Sequence, residues 1–315
     1  MTDPSELPSL HPSTIPIESK GINRMEAVEA NAAGRVDAHH HIFEQARTPQ
    51  TWLDERMDAI NGDFGIVELH PETTRAGIAQ TVLVQTAAKV RETEHLLDIA
   101  AREKLIAGVV GWADLEDLAL DATIASYRDQ PGGEHLVGLR FAVQDEADPA
   151  FLDRPSVRRG LATVSDAGLA FDLLITRPHW DAAVRVVRDL PSLQFVLDHL
   201  GKPTLAKGAD ISHWATLMLT LAKHDNVSAK LSGLVTEASW RTWTPDDLRP
   251  AVEVVLQAFG PNRLMFGSDW PVCLLASDYQ RWVATAEELL AGTSPADGSA
   301  IFGGTARRVY GFRPK

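Results

Sequence analysis

Eight short runs of apolar and β-branched residues recur along the chain, and most of the intervals between them carry helical patterning. The runs fall at residues 36–41, 81–85, 106–112, 136–141, 169–175, 194–199, 227–231 and 264–266. Strand alternating with helix implies a parallel sheet, because parallel neighbours need a long crossover and a helix supplies it. Eight such units in one chain predict an α/β fold, a closed (β/α)8 TIM barrel. A doubly wound open sheet is the structural competitor, but it normally places a glycine-rich phosphate turn after its first strand, and none follows residues 36–41.

The helical intervals read as amphipathic. Residues 91–104 carry Leu96, Leu97, Ile99 and Ala100, and residues 181–189 carry Ala182, Val184, Val186 and Val187. Residues 211–224 carry Trp214, Leu217, Met218 and Leu221. Residues 248–259 are the cleanest: Thr244 suits a cap, Pro245 the first turn, Asp246 and Asp247 the N-terminal dipole, and Gly260-Pro261 a stop. The segment 44–74, with Trp52, Gly62, Asp63 and Phe64, reads as a long loop over an active site. Residues 290–299 read as a loop, and 301–310 as a closing helix weakened by Gly303-Gly304. Residues 1–34 hold Pro4, Pro8, Pro12 and Pro16 without periodicity and read as a mobile N-terminal extension with a short helix over 24–31. The expected organisation is that arm followed by one barrel domain over 35–315.

A length of 315 residues suits one such barrel, and 44% hydrophobic with 23% charged residues is ordinary globular composition. Thirty basic against 43 acidic residues give a net charge of −13, which disfavours nucleic acid or an anionic membrane as partner. A small anionic substrate, needing only a local Arg or Lys, remains compatible. The single cysteine, Cys273, excludes an intrachain disulfide and is best read as a small buried hydrophobe. No run is apolar and long enough to span a bilayer, and the first residues lack a signal-peptide pattern, so cytoplasm is the expected location. The acidic surface predicts solubility and leaves homo-oligomerisation open.

The first run, Val36-Asp37-Ala38-His39-His40-His41-Ile42-Phe43, concentrates the chemistry. Alternation along a strand sends Asp37, His39 and His41 to one face and His40 to the other, so two imidazoles can reach one ion from the same side. A tag-like run of solvated histidines is the plain alternative, and the apolar flanks argue against it. In a barrel the strand ends converge, and here they read His39 and His41, Gln85, Trp112 with Asp114, Arg140, Asp172, His199, Lys230 with Ser232, and Asp269. That set is too polar for buried strand ends unless something satisfies it. Alternation puts Asp198 and His199 on opposite faces, so only one of them is expected to face the axis. Arg140 and Lys230 interrupt apolar strands, with structural ion pairs inside the barrel as their alternative role. Gln144-Asp145-Glu146 reads as a plain loop at the correct face, and His70, His95, His135, His213 and His224 read as surface residues.

Four motifs carry a family resemblance: Asp37-Ala38-His39-His40-His41, residues 196–203 (VLDHLGKP), residues 230–234 (KLSGL) and residues 266–271 (FGSDWP). Together they resemble the TIM-barrel metal-dependent hydrolases of the amidohydrolase superfamily, and within it the sugar-lactonase group of L-fuconolactonase-, L-rhamnonolactonase- and sulfomuconolactonase-like enzymes. The likeness runs from about Val36 to Tyr310, with further matches at residues 82–85, 111–114, 138–140 and 144–146. It implies a metal set of His39, His41, His199 and Asp269. Arg140 stands where many members have a bridging lysine or glutamate, which argues against two metals, and Asp172 stands where a histidine ligand is common.

The resemblance thus implies a metal-dependent lactonase, a carboxylic ester hydrolase with one divalent ion. Zinc suits the ligands, although some members hold a metal weakly or work without one. Asp269 is expected to take the proton of the attacking water and return it to the departing ring oxygen, with His199 the alternative proton carrier. Arg140 or Lys230 is expected at the oxyanion or product carboxylate, and Gln85, Trp112 and Trp270 around the sugar ring of an aldonolactone or the ring of a muconolactone. The rivals are a nonoxidative decarboxylase on the same barrel and, from another class, a non-catalytic metal- or sugar-acid-binding barrel.

Overall fold

The computed structural model describes residues 34–313, so the readings of an N-terminal arm and of a helix over 24–31 lie, Gly34 apart, outside the described residues. Every expected strand forms: β1 Arg35–His40, β2 Ile78–Val84, β3 Ile106–Gly111, β4 Leu136–Phe141, β5 Ala170–Leu173, β6 Phe195–Leu197, β7 Val227–Leu231 and β8 Leu264–Phe266. Each pairs in parallel with the next in sequence. The last returns to the first through a bridge between His40 and Trp270. At that seam the Asp269 N–H donates to the His39 carbonyl at 2.8 Å, and the His41 N–H donates to the Trp270 carbonyl at 2.7 Å. The sheet is therefore a barrel, joined at its ends by the residues of greatest chemical interest.

Strand alternation divides the core in two. Val36, Ala38, Val82, Val84, Val110, Ala170, Val196 and Met265 pack together with Ala306 and Tyr310 from the last helix. Their strand neighbours, such as Leu83, Val109, Leu139, Phe171, Phe195 and Leu231, pack instead with the apolar helix faces. Helix Trp180–Asp189 buries Ala182, Ala183, Val186 and Val187 there, as its spacing predicts. Each fully buried Leu, Val or Phe contributes about 1.5–3 kcal/mol of apolar transfer, so the outer layer fixes the barrel more than propensity does.

Helix Pro245–Phe259 follows its expected cap, with Thr244 N–H and Oγ1 donating to Asp247 Oδ2 at 2.8 and 2.9 Å and Gly260 ending it at φ 66°. Other intervals differ from the reading. The segment 44–74 is not one loop: it holds a 3-10 turn, Glu55–Ile60, and an α-helix beginning at Ile66 and ending at Arg75. Pro71 inside that helix and the exposed Val67 obscure its pattern in the sequence. Residues 290–299 include a one-turn helix, Pro295–Ser299, capped by Ser294. The closing helix is split at Gly303 into a wide turn, Ala300–Gly304, and helix Thr305–Tyr310. Helices Val90–Arg102, Leu120–Asp129, Pro155–Asp166, Ser212–Leu221 and Tyr279–Leu289 complete the outer layer. Among the described residues no helix is long and apolar enough to cross a membrane.

Candidate active site

The end of β1 supplies two of the expected imidazoles. His39 and His41 are buried, and their Nε2 atoms lie 3.2 Å apart. His40 turns the other way, where its Nε2 meets Thr81 Oγ1 at 2.9 Å. Asp37 does not share the face of His39 as simple alternation predicts. The ladder to β2 shifts register between Asp37 and His40, which resets the alternation. The Asp37 carboxylate instead accepts from Ser268 N–H at 2.8 Å, His39 N–H at 3.1 Å and the Tyr279 hydroxyl at 2.9 Å, tying β1 to the segment after β8.

His199 reaches the same centre by a different route. Strand β6 stops at Leu197, and His199, Leu200 and Lys202 follow with φ of 50°, 52° and 56°. This left-handed turn overturns the expectation that only one of Asp198 and His199 faces inward: both do. The His199 Nδ1 meets Ser232 Oγ at 2.9 Å, and Gly233 at φ +66° leaves the imidazole room, since a Cβ there would sit 2.6 Å from Nδ1. Gly267 does the same for β1, because its Cβ would sit 2.8 Å from His39 Cβ. Asp269, at φ 57°, follows Gly267-Ser268 and projects its carboxylate at the imidazoles. Its Oδ1 lies 3.5 Å from His41 Nε2, 3.7 Å from His39 Nε2 and 3.8 Å from His199 Nε2.

Burial sets the charge states. It holds the His39 imidazole well below its ordinary value, with the Lys230 ammonium acting the same way, and takes His199 down to about 4. Burial also works to raise the Asp269 carboxyl, but His199 and His41 outweigh it and hold the group below its usual value. Neutral imidazoles and an ionised carboxylate are the forms that bind metal. His41 Nδ1 lies 2.8 Å from the Val84 carbonyl, so it carries the hydrogen and Nε2 keeps a lone pair for the centre. Tetrahedral bonds of about 2.0–2.2 Å put neighbouring ligand atoms roughly 3.3–3.6 Å apart. His39 Nε2, His41 Nε2 and Asp269 Oδ1 lie 3.2 to 3.7 Å apart, close to that range, so these three donors fit one divalent cation, and His199 Nε2 approaches Asp269 Oδ1 at 3.8 Å.

Beneath this cluster lies a buried lattice of charge. Lys230 is fully buried, with Nζ 2.5 Å from Asp172 Oδ2 and 3.0 Å from Asp198 Oδ1. Arg140 Nη1 donates to Asp198 Oδ2 at 3.0 Å, and the Tyr310 hydroxyl lies 2.9 Å from both Asp172 oxygens. Burial works against charge on Asp198, but Lys230, His39 and Arg140 around it hold its carboxyl well below the usual range. Asp172, with fewer cations, is pushed by burial up to about 6.

A cavity of about 350 Å³ opens above the cluster. His41, Arg140, His199 and Asp269 line it, together with Gln144, Asp145, Lys202 and Glu237. Trp52, Met57, Leu174, Trp240, Val272 and Leu275 form its apolar side. Of the five residues expected to contact substrate, only Arg140 is in this lining. Lys230 is spent on Asp172 and Asp198. Gln85 donates to the Arg140 carbonyl at 3.1 Å, and Trp270 is buried beside Phe64 at 5.6 Å between ring centres. Trp112 packs against Phe141 at 6.3 Å. The lining that sequence reasoning missed comes from loops, where no periodicity marks it. Gln144 and Asp145 come from the segment taken as a plain loop, and Lys202 sits in a quoted motif without having been singled out. Trp52 comes from the long segment after β1, which does cover the site.

An eight-stranded parallel barrel with imidazoles and a carboxylate meeting at the ends of its first, sixth and eighth strands defines the class of barrel hydrolases built around a metal centre. The chain belongs to the amidohydrolase family, whose model matches residues 36–312. It is 39% identical over 282 residues to an L-fucono-1,5-lactonase of Burkholderia ambifaria, covering 88% of this chain and 95% of that protein. An L-fucono-1,5-lactonase of Burkholderia multivorans is 37% identical over 296 residues, covering 88% and 95% respectively. Among solved structures, a Burkholderia multivorans amidohydrolase with bound zinc superposes with a TM-score of 0.84 at 35% identity, covering 89% of this chain and 99% of that one.

Proposed function

We propose that the chain opens a sugar lactone, of the L-fucono-1,5-lactone type, to its hydroxy acid, with the chemistry centred on His39, His41, His199 and Asp269. The observation that carries the reading is Asp269 Oδ1 lying within 3.8 Å of three imidazole Nε2 atoms at the floor of a sugar-sized cavity. Relatives 39% and 37% identical that are L-fucono-1,5-lactonases support it. His39, His41, His199 and Asp269 hold one divalent ion, and zinc suits this donor set. When bound, that ion supplies Lewis acidity toward a carbonyl or a water.

The residues do the rest. Asp269, kept ionised, removes the proton of the attacking water and hands it to the ring oxygen as the ester bond breaks. His199 is the nearest alternative carrier. Arg140 lines the cavity, held by Nη1 on Asp198, and its guanidinium receives the carboxylate that forms. The tryptophan-rich side accommodates the C–H face of the ring. We assign the catalysis to one barrel domain over 35–315, with residues 1–34 as an extension. An indicator assay for acid release from aldonolactones and muconolactones, with and without added Zn²⁺ or Mn²⁺, tests the reading. Acid release from an aldonolactone is expected, and none from any lactone under any metal condition overturns it.

A further inference from the structure

Two charged side chains on the cavity wall lie outside the cluster that performs the chemistry. Lys202 follows the His199 turn at φ 56°, and Glu237 ends the short helix after β7, Leu234–Glu237. Both line the cavity. Their heads are mostly buried, at 25% and 24% exposure, and the Nζ–Oε1 separation is 3.9 Å, too long for a hydrogen bond. Neither head makes a side-chain hydrogen bond among the described residues. Partly desolvated charges that stop short of each other keep their donors and acceptors for something placed between them. Trp240, one turn beyond Glu237, also lines the cavity and anchors its Nε1–H on the Thr236 carbonyl at 2.8 Å.

We propose that Lys202 and Glu237 form a clamp for two adjacent hydroxyl groups of the lactone ring, and so set the preference for a polyhydroxylated substrate. The inference rests on the lactonase reading above and names residues that select the substrate rather than convert it. One ring hydroxyl donates to the Glu237 carboxylate, its neighbour accepts from the Lys202 ammonium, and both bonds are charge-assisted. Because the pair is neutral overall, it gives a carboxylate-bearing ring no net attraction. A lactone without hydroxyls leaves both charges unanswered in a partly dry pocket, which is how a hydrogen-bonding site rejects a deoxygenated analogue.

The test compares L-fucono-1,5-lactone as substrate with δ-valerolactone, which has the ring and ester but no hydroxyls, as competitor. Wild type, Lys202→Met and Glu237→Leu are assayed with matched metal content and melting temperature. For each variant KM for L-fucono-1,5-lactone is expected to rise about 10- to 100-fold, the factor for losing one hydrogen bond to a charged group. Removing an interaction made equally in ground and transition states leaves kcat within about threefold. The inhibition constant for δ-valerolactone, which has nothing to pair with either charge, is expected to stay the same or fall in the variants. A fall in kcat at constant KM, an equal weakening of δ-valerolactone, or no change in either variant overturns the clamp alone. Failure of the wild type to open L-fucono-1,5-lactone or any other aldonolactone removes the sugar-lactone reading and the clamp with it.

Discussion

His39 Nδ1 lies 3.3 Å from Asp198 Oδ1, with both side chains fully buried. Lys230 Nζ approaches the same nitrogen at 3.1 Å, but an ammonium has only protons to give. For His39 to present a lone pair at Nε2, its Nδ1 must therefore carry the hydrogen, and Asp198 Oδ1 is the carboxylate oxygen that faces it. That makes the carboxylate a positioning group for the imidazole. Asp198→Asn is expected to weaken divalent-metal binding about 10- to 100-fold, read by competition with a chromogenic chelator. Unchanged affinity would remove Asp198 from this role.

Asp269→Asn should leave a folded barrel and lower kcat by about 10²–10⁴, the range for loss of a general base. The lowered Asp269 carboxyl also fixes the pH profile. A base with depressed pKa stays ionised until the pH falls below its ordinary value of about 3.9, so Asp269 should contribute no acid limb to kcat/KM between about pH 5 and 8. An inflection there that disappears in the variant would mean the carboxylate titrates higher than its neighbours allow.

Gly233→Ala tests the turn behind His199. The new methyl meets Nδ1 at 2.6 Å in a backbone conformation that costs an L-residue about 1–2 kcal/mol. Metal content and turnover should both fall, and the melting temperature should drop measurably. Gly292→Ala, at a position where a Cβ meets nothing within 4 Å, is the control.

Lys230→Met removes the cation shared by Asp172 and Asp198. Breaking a buried ion pair from one side typically costs about 3–5 kcal/mol, so the urea midpoint should fall sharply. A stability loss below about 1 kcal/mol would show that the ion pair contributes little, as exposed pairs do.

How much of this could be read beforehand depends on which residues obey a period. All eight strands are legible, because runs such as Val82-Leu83-Val84 are buried on both faces and interrupted by helical patterning. His39, His41, His199 and Asp269 are legible because polar residues at the ends of such runs are conspicuous. Alternation misplaces Asp37 and lets only one of Asp198 and His199 face inward, because a register shift and a left-handed turn break it and neither leaves a trace in composition. Trp52, Lys202, Glu237 and Trp240 reach the cavity from connections whose path only tertiary packing decides. Lys230 was read as a substrate contact because sequence cannot say whether a strand cation ends below or above the reacting centre.

The hydrogen bonds that shut the barrel run from Asp269 to His39 and from His41 to Trp270, so closure and alignment of the reactive groups are one event. During synthesis the first imidazoles leave the ribosome more than two hundred residues before their carboxylate partner exists. The centre is thus incomplete until the final strand docks, and a lesion that frays this junction is expected to lower turnover together with barrel closure.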